Sequence, residues 1–185
     1  MCIRDRVRVE EIETRDEPAG RLVAEVALIK GERMELCIQK LTELRVDAIV
    51  PVVAARSVVK LDGARQDKRL RRFADIVRSA AAQAENPWPP SIAEPCSVHD
   101  LSEADGPALA MVTRADGQPL GGQRFAADGH LRFCIGPEGG WQDDEKSALR
   151  AKGYRLTSLG PGILRAETAA ITAAAVLRSA MGRCD

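Results

Sequence analysis

Short apolar runs alternating with helical stretches constrain this chain more than any other feature of its sequence. Residues 21–30, 47–53 (DAIVPVV), 107–113 (PALAMVT), 131–135 (LRFCI) and 154–159 are predicted strands. Helices are predicted over 31–45, 65–84, 143–152 and 165–181. In the first helix Met34, Cys37, Ile38, Leu41 and Leu44 recur at helical spacing, with Arg33, Lys40 and Glu43 on other faces. In the second, Leu70, Phe73, Val77, Ala80, Ala81 and Ala84 form the stripe, and Asn86-Pro87-Trp88-Pro89-Pro90 stops it, because proline can neither donate to a helix nor follow a helical residue comfortably. Such alternation predicts an α/β fold, a mostly parallel sheet with helices on both faces. The last helix is small and apolar from Ala169 to Leu177, which predicts burial all round, either in the core or at a subunit interface.

Composition narrows the choice further. At 185 residues the chain is long enough for one sizeable domain, or one domain and a fragment. Aromatics are 3%, so the core must come from Ala, Val, Leu and Ile. The net charge of zero excludes a broadly basic nucleic-acid binder, and any RNA contact has to come from a local patch, a partner or another domain. The strongest basic concentration is Arg56, Lys60, Arg65, Lys68, Arg69, Arg71, Arg72 and Arg78, readable as a phosphate-tracking surface or as a solvated helix face. Cys2, Cys37, Cys96, Cys134 and Cys184 include no C-x-x-C pair and are accompanied by two histidines, so they are expected to be reduced thiols of a cytoplasmic protein, with no metal site. No run approaches the roughly 18 apolar residues of a membrane span. Residues 1–20 are expected to be a remnant or non-native segment, ending in the turn Asp16-Glu17-Pro18-Ala19-Gly20, with the domain proper over 21–185.

Two loops carry the chemistry. Ile135-Gly136-Pro137-Glu138-Gly139-Gly140-Trp141 follows a predicted strand and precedes a helix, with Asp143, Asp144 and Glu145 placed to favour the helix N-terminus. Its glycines and proline specify a rigid turn whose backbone can approach a ligand closely. It is neither a phosphate loop nor a G-x-G-x-x-G turn. Ser158-Leu159-Gly160-Pro161-Gly162-Ile163-Leu164-Arg165-Ala166-Glu167-Thr168-Ala169 repeats the strand–loop–helix pattern. Both loops are expected at the carboxyl ends of neighbouring strands, where open α/β sheets bind ligands, with Arg165 and Glu167 at the mouth of the cleft. A tight turn and a capped helix with a surface ion pair are the bland alternatives for the two loops.

Arg33, Gln39-Lys40-Leu41-Thr42-Glu43-Leu44, Ile49-Val50-Pro51, Arg56-Ser57, the GPEGG loop and Leu159 to Ala169 occur in an order that resembles the bacterial 16S ribosomal RNA uracil-N3 methyltransferases that modify uridine 1498, a SPOUT-class family. The resemblance covers about residues 22–182. It implies a deep C-terminal trefoil knot, S-adenosyl-L-methionine as cofactor, a homodimer, and 16S rRNA of the small ribosomal subunit as substrate. It further implies cofactor contacts from Thr113, Gly136, Pro137, Glu138, Gly139, Leu159, Gly160, Ile163 and Leu164. Arg165 is expected to stabilise the developing uracil anion, with Glu167 orienting it or accepting a proton. Arg56, Arg72 and Gln83 are expected to touch RNA.

Three departures stand out. The family's N-terminal PUA-like β-barrel is expected to be missing, Gly162 stands where the family usually has Arg, and of its Glu-Gln-Ser pattern only Gln83 is kept in Ala82-Gln83-Ala84-Glu85-Asn86. They motivate one competing expectation, a non-catalytic dimeric RNA-binding or assembly module.

Overall fold

The computed structural model describes residues 14, 16–57 and 63–183, with the backbone alone for 63–65. Lys60, the Arg65 side chain, Cys2, Cys184 and most of the expected N-terminal remnant lie outside the described residues.

The elements run β1 (Arg21–Ala27), α1 (Glu32–Glu43), β2 (Ala48–Val53), α2 (Gly63–Gln83), β3 (Ser91–Ile92), β4 (Cys96–Ser97), β5 (Ala108–Met111), β6 (Gln118–Pro119), β7 (His130–Ile135), α3 (Asp143–Ala151), β8 (Tyr154–Ser158) and α4 (Ala166–Ala180). All the paired strands are parallel, in the order β3-β2-β1-β7-β5-β8-β6, with β4 also on β2. Every predicted strand and helix is present with shifted ends. The first strand stops at Ala27, where its pairing with Val52 ends, and Gly31, at φ 56°, opens α1. Strands β3, β4 and β6 have two residues each, too few for any periodic signal.

Successive strand residues point to opposite sides of the sheet, and the core divides accordingly. Leu22, Ala24, Val26, Leu109, Met111, Leu131, Phe133 and Ile135 join α1, α2 and α4 in one cluster. Ala27, Ala108, Ala110, Cys134, Tyr154 and Leu156 join Leu149 of α3 and Trp141 in the other. Each fully buried Leu, Ile or Phe contributes about 1.5–3 kcal/mol, so these strands are held mainly by their side chains. The second cluster also encloses Glu25, fully buried, whose carboxylate accepts hydrogen bonds from Tyr154 Oη (2.6 and 2.8 Å) and Arg132 Nη1 (3.4 Å). Burial pushes the Glu25 carboxyl up from its ordinary range, while Tyr154 and Arg132 pull it down.

One expectation is corrected. The strands that carry the Gly/Pro loops, β7 and β8, are not neighbours, since β5 lies between them. Within the single chain, helix α4 is buried on one face only. Ala166, Glu167, Ala170, Ala173, Ala174 and Leu177 are buried, whereas Thr168 and Ala175 are exposed and Val176 is 40% exposed. Uniform composition hides which face meets the sheet, and packing against α1, β1 and β7 selects it.

Candidate functional site

Parallel register places the exits of β5, β7 and β8 side by side. Met111 stands opposite both Ile135 and Thr157, so the following residues leave the sheet together. The loops enclose a cleft of about 410 Å³, within the range of roughly 300–1,000 Å³ usual for small-molecule pockets. Of the residues singled out in the sequence, Thr113, Gly136, Pro137, Glu138, Gly139, Leu159, Ile163, Leu164 and Arg56 line it. Gly160 does not. Its N–H donates to Ser158 Oγ (3.3 Å), and its carbonyl accepts from the same hydroxyl (3.0 Å). Asp116, Trp141, Lys146, Ser158 and Gly162 also line it and were not among the expected contacts.

Close packing explains the glycines. A Cβ on Gly136 would stand 3.0 Å from the Trp141 indole, whose Nε1 donates to the Met111 carbonyl at 3.2 Å. A Cβ on Gly139 would stand 3.1 Å from Arg56 Cβ, and Arg56 Nη1 donates to the Gly139 carbonyl at 2.8 Å. Gly140 has φ 69°, a left-handed conformation that an L side chain rarely adopts. Glu145 is buried and accepts from the N–H groups of Gln142 and Ala55, both at 2.8 Å. The expected acidic helix start is therefore a capping box that also reaches the β2 exit.

Charges are few and mostly paired. Lys146 meets Asp143 at 3.0 Å and Asp116 at 3.4 Å, and Thr113 Oγ1 donates to Asp116 at 3.2 Å. The neighbouring Lys146 holds the Asp143 carboxyl below its usual value. Arg33 of α1 pairs with Glu138 at 3.3 Å and lies 4.0 Å from Glu167. Arg165 and Glu167, expected together at the mouth, are separated. Arg165 is exposed at the α4 N-cap, while Glu167 is buried in the first turn. Helical geometry turns residues two apart to different sides of the axis. Among the described residues, Glu167 Oε2 is the one buried side-chain oxygen without a hydrogen-bond partner. Burial, reinforced by Glu167, pushes the Cys37 thiol up to about 12. Cys37, Cys96 and Cys134 are free thiols.

Arg72 and Gln83 are exposed on α2 and are not part of the cleft wall. Arg72 donates twice to Glu35, at 2.7 and 3.2 Å, and Arg78 pairs with Asp75 at 2.8 Å. The basic run is thus partly neutralised by acids that its composition alone did not assign. Asp116 and Lys146 carried no motif. Glu145 carried one, since Gln142-Asp143-Asp144-Glu145 has the capping-box spacing. Among the described residues no group of three His, Cys, Asp or Glu is placed to hold a metal ion, and no helix is long and apolar enough to cross a membrane.

A family profile described as an RNA methyltransferase domain matches residues 15–178. A Mycobacterium bovis protein named "Ribosomal RNA small subunit methyltransferase E" is 38% identical over 165 residues, covering 86% of this chain. This chain spans 63% of that protein's length. A Legionella pneumophila methyltransferase solved in complex with the bound cofactor SAM aligns with TM-score 0.82 and 32% identity, over 91% of this chain and 70% of that one. The ribosomal RNA small subunit methyltransferase E of Neisseria gonorrhoeae, bound to S-adenosyl methionine, aligns with TM-score 0.77 and 30% identity, over 89% and 68%. A mostly parallel sheet, three strand-end loops around one cleft and a profile that spans nearly the whole described chain agree: the chain belongs to the RNA methyltransferase domain family.

Proposed function

We propose that this chain is the catalytic domain of an S-adenosylmethionine-dependent enzyme that methylates uracil N3 of uridine 1498 in 16S rRNA of the small ribosomal subunit, in the cytoplasm and as a homodimer. The carrying observation is the cleft itself, in which nine residues chosen from sequence converge from four separate segments. Two relatives of the same fold were solved with this cofactor bound.

The lining fits that molecule. Glycine backbone at 136 and 139 gives close approach and amide or carbonyl partners for an adenine edge. Carboxylates Glu138 and Asp116 suit the cationic sulfonium and ammonium groups, while Lys146 suits the carboxylate. When bound, the cofactor supplies an electrophilic methyl group. The chain's own residues then have to align the base and remove the N3 proton, and positioning alone is worth effective molarities of about 10⁵–10⁸ M. Arg165, exposed beside the cleft wall at Leu164, is assigned to the uracil carbonyl oxygens, where it stabilises the developing anion. Glu167 is assigned to orient Arg165 or to accept the proton; its Oε2 is buried in the first turn of α4 without a hydrogen-bond partner. Arg56, Arg72 and Gln83 are assigned to RNA contacts.

After β5 the chain runs to β6 at the sheet edge, returns to lay β7 between β1 and β5, and crosses back to β8, a path that supports a deep trefoil knot. The division of strand residues between two core clusters supports helices on both faces of the sheet. Val176 on α4 and Ile163, 89% exposed, offer apolar surface for a second copy.

The test uses the chain joined to an RNA-binding N-terminal domain, with assembled small subunits as substrate. The reading expects transfer of labelled methyl to uracil N3, and a loss of about 10²-fold or more in transfer for Arg165→Ala at unchanged cofactor affinity. Cofactor binding without transfer would instead favour a non-catalytic RNA-binding module, and parental transfer by Arg165→Ala removes that arginine from the chemistry.

A further inference from the structure

We propose that Glu145 is a positioning residue for the cofactor loop, acting through Ala55 and Arg56; this rests on the reading of the cleft as the cofactor site. Glu145 is 2% exposed, and both of its oxygens accept backbone hydrogen bonds. Capping α3 requires one of them, the bond from Gln142 N–H to Oε2. The other, from Ala55 N–H to Oε1, spans 90 residues of sequence and does nothing for the helix.

That second bond fixes the chain where it leaves β2. Residues 54–57 close on themselves, with Ser57 N–H donating to the Ala54 carbonyl (2.9 Å) and Ala54 N–H donating to Ser57 Oγ (3.2 Å). Pinning Ala55 therefore pins the backbone of Arg56. From there the arginine stem packs over Gly139, and its Nη1 donates to the Gly139 carbonyl. The circuit is closed: Gly139 leads through Trp141 and Gln142 to Glu145, then across to Ala55 and Arg56, and back to Gly139. An exposed arginine on a free turn would disperse over many rotamers. Here Glu145 presets it against the loop that forms one wall of the cleft. A buried carboxylate suits this task because it accepts twice and donates nothing. Glutamine has the same shape but turns an NH₂ toward one of the two N–H groups, so it keeps a single bond.

The test compares the parental chain with Glu145→Gln, Glu145→Asp, Arg56→Ala and the double variant Glu145→Gln/Arg56→Ala. Calorimetry with S-adenosylhomocysteine measures affinity, and amide hydrogen exchange of the ligand-free chain follows Ala55 and Gly140, whose N–H donates to the Pro137 carbonyl at 2.8 Å. Glu145→Gln should weaken binding about tenfold, the scale of one charge-assisted hydrogen bond. Arg56→Ala should do about the same, and the double variant should be no weaker than Arg56→Ala. Gly140 exchange should quicken in every variant. Glu145→Asp keeps the charge with a shorter reach, and should restore helix stability without restoring affinity. Parental affinity in Glu145→Gln, or losses that multiply in the double variant, would overturn the proposal and leave Glu145 a helix cap. If the parental chain binds no S-adenosylhomocysteine, the cofactor reading fails first, and unchanged Gly140 exchange in Glu145→Gln then overturns the clamp as well.

Discussion

The cleft and the outer face of α2 were both marked for function in the sequence, and the fold treats them in opposite ways. Cleft residues are far apart in the chain, from Arg56 to Leu164, yet they converge, because parallel strands in register release their loops at one edge. The basic residues of α2 are close in sequence, yet Arg72 and Arg78 are partly spent on Glu35 and Asp75. A Gly/Pro loop states a backbone geometry that survives folding. A run of charge states a potential, and neighbouring acids revise it.

The sharpest way to break this contrast is Gly139→Val. Branched carbons in the space now filled by Arg56 force the loop or the arginine away. Overpacking of this kind costs about 1–3 kcal/mol, so S-adenosylmethionine affinity measured by calorimetry should fall roughly a hundredfold, with circular dichroism unchanged. Parental affinity would mean that the cleft wall tolerates what its geometry forbids.

A second experiment asks whether burial, rather than the number of charges, decides what a charge is worth. Tyr154→Phe removes the single phenolic O–H that the two oxygens of the fully buried Glu25 share, at 2.6 and 2.8 Å. It should cost about 2–3 kcal/mol of stability in urea at neutral pH. The pH dependence follows from the raised Glu25 pKa. A carboxyl raised in the folded state favours folding at acid pH and loses that contribution as pH rises through its folded value. Without Tyr154 the folded value rises further, so the deficit of the variant should be largest near neutrality and shrink toward pH 4. An equal deficit at both pH values would show that Glu25 is not the group responsible.

The smallest effects are expected on α2. Arg72→Ala should leave the melting temperature nearly unchanged, as exposed ion pairs add little. The Glu35 carboxyl, held low chiefly by its hydrogen bond from Arg72, should titrate at a higher pH when followed by NMR. If Arg72 also touches RNA, the salt dependence of ribosomal RNA binding should flatten by about one unit. An unchanged slope would assign the arginine to Glu35 alone and widen the contrast with the cleft.

Reading the sequence succeeded where a local rule has one structural outcome. Alternating apolar runs set the strands and helices, the proline cluster at 87–90 ended α2, and the glycines of residues 136–140 marked a close-packed turn. It fell short where the outcome depends on partners distant in the chain. Nothing near Glu145 announces Ala55, nothing near Arg72 announces Glu35, and the identical small residues of α4 do not say which face meets the sheet. Strand order was equally hidden. The insertion of β5 between β7 and β8, which brings Thr113 and Asp116 into the wall, follows from how the whole sheet packs. The sequence by itself determined which segments are strands, helices and rigid loops, because backbone preference and side-chain periodicity act over a few residues. The tertiary structure alone decided which charges are paired and which oxygen of Glu167 stands without a partner, because those depend on neighbours that folding brings together.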